Sequence, residues 1–121
     1  MRIVLSTIVG LFLFLSGGVA AERPGELSKK ELKVLLEKSS TPKDHLRLAA
    51  HYEAKALKYE AEAAEHTDLA KMYRAHPTTS EVKRPMAPDT AAHCDYVVDY
   101  LTKAAKEARS LSESHKQMAG K

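Results

Sequence analysis

From Thr41 onward, apolar residues return every three or four positions in two long runs, the pattern of amphipathic helices. The punctuation predicts where each begins. Ser28-Lys29-Lys30-Glu31 has the form of a capping box and is followed by Leu32, Leu35 and Leu36, which predicts a short helix over about 28–38. Thr41-Pro42-Lys43-Asp44 repeats the signal, with proline in the first turn and a carboxylate at the positive helix end. Nothing interrupts that pattern before His76-Pro77, so a helix is expected over 42–75, roughly 50 Å long at 1.5 Å per residue. Residues 76–88, rich in proline, threonine and serine, predict a loop, and a second long helix follows over about 89–119, stopped by Gly120.

Both long helices carry heptads. His45, Tyr52, Tyr59, His66 and Tyr73 recur every seven residues, with Ala49, Ala56, Ala63 and Ala70 four behind the first four of them. In the second helix, Cys94, Leu101, Ala108 and His115 form one row, and Val97, Ala104, Leu111 and Met118 form a row three residues later. The short connection predicts that the helices fold back antiparallel. The register that sets large against small residues pairs Ala49 with Leu111, Tyr52 with Ala108, Ala56 with Ala104, Tyr59 with Leu101 and Ala63 with Val97. It also places His66 opposite Cys94 and His45 opposite His115, whereas a shift of one heptad sets Tyr73 against Cys94. Ala50, Ala54, Leu57, Ala61 and Ala64 make a further apolar stripe, which one partner helix cannot cover. The fold class expected is all-α: an antiparallel coiled-coil-like helical hairpin with a short N-terminal helix, completed as a three-helix bundle or a dimeric four-helix-type bundle.

The N-terminal pattern is of another kind. Arg2, an apolar run from Ile3 to Leu15 and the small residues ending at Ala21 have the form of a secretory signal peptide over 1–21, with cleavage expected after Ala21 or Ala20. That run, thirteen residues long, falls short of the about 20 needed to span a membrane, so no stable span is expected after cleavage. The mature chain, 22–121, is read as one helical domain that is periplasmic or secreted.

Removing 1–21 changes the composition that matters for folding, because both phenylalanines and both isoleucines lie there. The remaining core is alanine, leucine and tyrosine, which bury little area apiece and favour close packing or self-association. Of the 19 basic residues only Arg2 is discarded, against 16 acidic residues retained, a net charge of +2 with the signs interspersed. Nucleic-acid binding asks for a clustered basic face, and none is present.

The segments KRPMAPDTAAHCDY, HYEAKALKYEAEAAEHTDLAKMYRAH and ARSLSESHKQMA resemble a group of small exported bacterial proteins with no assigned function. The resemblance implies an envelope address and a helical bundle, and it brings no catalytic residue with it.

Candidate chemistry centres on the single cysteine. In an exported protein, Cys94 without a partner in its own chain is free, joined to another molecule, metal-bound or shielded in a core. With His66 in the same layer it supplies thiolate and imidazole, ligands suited to zinc or copper, and a two-fold dimer doubles the set. The bland reading makes Cys94 a small core residue and His66 a satisfied histidine. His45 and His115, with His51 and Met118 nearby, form a second candidate layer suited to copper(I). The tyrosine row is read as packing. C-x-x-C-H, H-E-x-x-H, G-x-S-x-G and glycine-rich phosphate loops are all absent, and Ala63 stands where a Glu-x-x-His di-iron motif would need glutamate. The function expected is therefore non-enzymatic, through self-association or an envelope protein partner, with a transition-metal binder using Cys94 and His66 as the alternative.

Overall fold

The computed structural model describes residues 25–121, and the signal-peptide reading of 1–21 lies outside them. Among the described residues the protein is all-helical. Ser28 caps α1 (Lys29–Lys38): its hydroxyl accepts from the Glu31 amide while Glu31 accepts from the Ser28 amide. Thr41 and Asp44 make the same reciprocal cap on α2 (Pro42–Ala75), with Pro42 in the first turn. α4 (Ala91–Ala119) starts two residues later than the periodicity predicts, because Thr90 takes the cap and accepts from the His93 amide.

The proline-rich connection holds one more turn of helix, α3 (Ser80–Lys83), in the stretch read from composition as loop. Side chains tie this corner down. Thr78 donates to the Asp89 carbonyl and Ser80 to the Asp89 carboxylate, while Glu81 accepts from the Ala91 amide. The buried Thr90 hydroxyl faces the carbonyls of Pro85 at 2.6 Å and Ala87 at 2.7 Å. Three prolines remove three amide donors here, and short polar side chains supply the missing donors for the turn.

α2 and α4 pack against each other along their length and run antiparallel, His45 meeting His115 at one end and Arg74 pairing with Asp95 at the other. Ala49, Ala56, Ala63 and Ala70 are all buried on α2, as are Cys94, Leu101 and Ala108 on α4. The second row of α4 differs from the expected one. Ala105 and Ser112 are buried, four residues after Leu101 and Ala108, whereas Leu111 and Met118 of the predicted row stand 45% and 46% exposed. The reason is space. Ser112 donates to the Ala49 carbonyl at 2.9 Å, a direct side-chain to backbone bond between helices that a leucine at that point would block.

Rows three and four residues after Cys94 lie on opposite sides of it. The Ser112 side is charged: Arg109 makes a fork to Glu60 at 2.8 Å and also pairs with Glu53, and Arg74 pairs with Asp95. Exposed pairs of this kind contribute about 0–1 kcal/mol each, so their main effect is on register. Val97, Ala104, Leu111 and Met118 lie along the other side.

α1 touches α2 only lightly, burying Leu35 while Val34 and Leu36 stay exposed. The segment before it lies against Ala50, where a Cβ on Gly25 would approach the Ala50 carbonyl to 3.3 Å; Gly25 itself has φ 92°, a conformation glycine adopts without strain. Leu57 and Ala64, further along the same stripe, remain exposed.

Ala56, with no exposed surface, is the sharpest test of the seam. Ala56→Leu is expected to destabilise the fold by about 1–3 kcal/mol in urea denaturation through overpacking, and a stabilised variant would refute the seam assignment.

Candidate functional site

Of the four residues that the sequence nominates, the structure brings His45 and His115 together at one end of the α2–α4 seam, and Cys94 is buried toward the other. At the end where α2 begins, the structure brings His45 and His115 together, their Nδ1 atoms 3.1 Å apart. The ring centroids are 5.4 Å apart and the planes differ by 25°. That separation equals the nitrogen gap plus one ring radius at each end, so the two Nδ1 atoms lie close to the line joining the rings and face each other head-on. In a neutral pair, one Nδ1 carries hydrogen and the other accepts it.

Tyr52 also lies against His115, its ring parallel within 4° at a centroid distance of 5.8 Å. The sequence reading treats the tyrosine row as packing, and at this layer the packing also orients an imidazole. Burial, and next the neighbouring His45, hold the His115 pKa below the ordinary histidine value.

His51 sits beside this cluster, edge-on to Tyr52 at 5.3 Å. It is buried, and its Nδ1 accepts from the Leu27 amide at 3.0 Å, which puts its hydrogen on Nε2. Nε2 has no hydrogen-bond partner among the described residues. Burial lowers its pKa, with Lys55 adding to the effect and Glu26 opposing it. No local sequence signal announces the Leu27 contact, since the partner lies 24 residues away across a turn.

Toward the other end of the seam, Cys94 is fully buried and free, and burial pushes its thiol pKa up. The Asp95 charge adds to that shift, while Arg74 opposes it. His66 is half-buried, and its Nδ1 is sealed from solvent without a hydrogen-bond partner among the described residues. No three of the described histidine, cysteine, aspartate and glutamate side chains converge as a metal-binding group. A raised thiol pKa keeps Cys94 protonated at neutral pH, the opposite of what a nucleophile needs.

No family model, curated protein or solved structure matches the chain.

Two measurements follow from these environments. His51 and His115 have lowered folded-state pKa values, so the unfolded chain takes up protons first as pH falls below about 6.5, and stability present above that pH is lost toward the lower folded values. Urea midpoints measured between pH 7.5 and 5 should fall with pH, and the fall should be shallower in His115→Gln. Cys94 should react with a thiol reagent slowly in the folded protein and at the unhindered rate in denaturant. Fast native labelling would contradict its burial.

Proposed function

We propose that the chain is an exported, non-enzymatic helical-bundle protein of the periplasm or secreted space that works by association, with a second copy of itself as the first partner. The observation that carries this reading is the difference between the two edges of the α2–α4 pair. One edge is tied by Arg109, Glu53, Glu60, Arg74 and Asp95. On the other, Val97 and Ala104 are half-buried and Leu111 and Met118 project into solvent. Tyr100, one turn before Ala104, is 63% exposed close to this edge. An apolar row of this length beside a seam of small residues is the arrangement by which a helical pair becomes a four-helix assembly. α1 packs on α2 and leaves this α4 row open.

Export rests on the signal-like pattern of 1–21; among the described residues no helix is long and apolar enough to cross a membrane. Among the described residues the convergent side chains are a shared histidine pair and a protonated buried thiol, which supports binding over catalysis.

Sedimentation of the purified protein should give a dimer at micromolar concentration, and Leu111→Glu with Met118→Glu should give a folded monomer, because both side chains are exposed and their replacement costs the fold little. A wild-type monomer would transfer the edge to a different envelope partner and remove self-association. A variant that stays dimeric would move the interface elsewhere.

A further inference from the structure

We infer that His45 and His115 form a cross-helix binding site for copper(I), held in linear two-coordinate geometry between their Nδ1 atoms. The site lies at the opposite end of the seam from Cys94, and Leu111 and Met118 of the association edge stand within a turn of His115 on α4. Each imidazole comes from a different helix, and each points its Nδ1 at the other across 3.1 Å. Head-on lone pairs are the arrangement that linear coordination requires. With metal–nitrogen bonds of about 2 Å, the nitrogens would stand about 4 Å apart, so the rings need only separate by about 1 Å along the line they already share.

Tetrahedral zinc is a poorer fit on two grounds. It would require both rings to turn off that line, and it needs four ligands, whereas among the described residues no third histidine, cysteine, aspartate or glutamate joins the pair. Imidazole is a good copper ligand, and two-coordinate binding asks for no other side chain.

The surroundings favour this geometry. Tyr52, parallel to the His115 ring, fixes its plane and leaves Nδ1 turned toward His45. When the ion enters, the one Nδ1 hydrogen shared by the neutral pair leaves that atom and a proton is taken up at Nε2 of the same ring, a change of tautomer with no net proton release. The ion then links the start of α2 to the end of α4, one turn from the Ser112 bond. Because the site exists only in the folded chain, binding should raise the melting temperature.

The test is an anaerobic titration of purified protein with ascorbate-reduced copper(I) against bicinchoninate as competing chelator. The wild type and Cys94→Ser should each withdraw one copper per chain, and His45→Gln and His115→Gln should each weaken the binding by about tenfold or more. Circular dichroism verifies that the variants are folded. In the wild type, imidazole ¹⁵N spectra should show the Nδ1 resonances of His45 and His115 moving on addition of copper, a readout independent of any variant's stability. Failure of the wild type to compete, unchanged binding in either histidine variant, or shifts confined to other histidines would overturn the proposal. Loss of binding in Cys94→Ser alone would place the ion with Cys94 and His66 and overturn it equally.

Discussion

The structure depends on how closely α2 and α4 approach. Ala49, Ala56, Ala63 and Ala70 put a methyl group at every heptad on the buried face of α2, and α4 answers with Ala105, Ala108 and Ser112. Helices lined this way sit at the near end of the about 8–10 Å range of helix spacings. The Ser112 hydroxyl reaches the Ala49 carbonyl only because the backbones are that close. Small side chains bury little area each, so the energy comes from the number of layers and from dense contact, and the helices must be long to accumulate enough of it.

That approach governs what the flanks can do. Leu101 is the one large side chain of its row held in the seam, and the others are displaced to the edges, where the tyrosines of α2 are half-buried and Leu111 and Met118 stand in solvent. The two edges then separate by chemistry, one joined by ion pairs and one apolar. Ion pairs at that exposure add little stability, but like charges brought together by a slipped register would cost as much as these pairs contribute, so they select the alignment. The corner from Thr78 to Ala91 reinforces the same alignment by fixing where α4 starts.

The ends of the seam are where polar chemistry gathers, since the layers between are filled by alanine, leucine and tyrosine. Histidine at an end layer keeps part of its ring near water while packing the rest, and a facing histidine satisfies the nitrogen turned inward. His51 reaches the same result differently, through the Leu27 amide, and leaves Nε2 sealed off. Cys94 at the opposite end needs no partner, because a neutral thiol is nearly apolar. Burial keeps all three groups, His51, His115 and Cys94, uncharged near neutral pH.

The helices and their caps were legible in the sequence, because Ser28 with Glu31, Thr41 with Asp44 and the seven-residue alanine row are local patterns whose energetics do not depend on what lies beyond them. So was the opposition of His45 and His115, which follows from matching large to small residues along two rows. The second row of α4 was not legible. Val97 is followed by Val98 and Ala104 by Ala105, so the rows are identical at two layers, and where they differ hydrophobicity favours Leu111 and Met118 over Ser112 and Ala119. Packing decides otherwise, because the gap beside Ala49 admits a serine and not a leucine. The helical turn around Ser80 and the Leu27 contact to His51 likewise belong to the tertiary structure, since each depends on partners that meet only after the chain has turned back on itself. Sequence by itself determined the helices and the heptad spacing of their small residues; which side of α4 faces inward was decided only when the two backbones closed to contact distance.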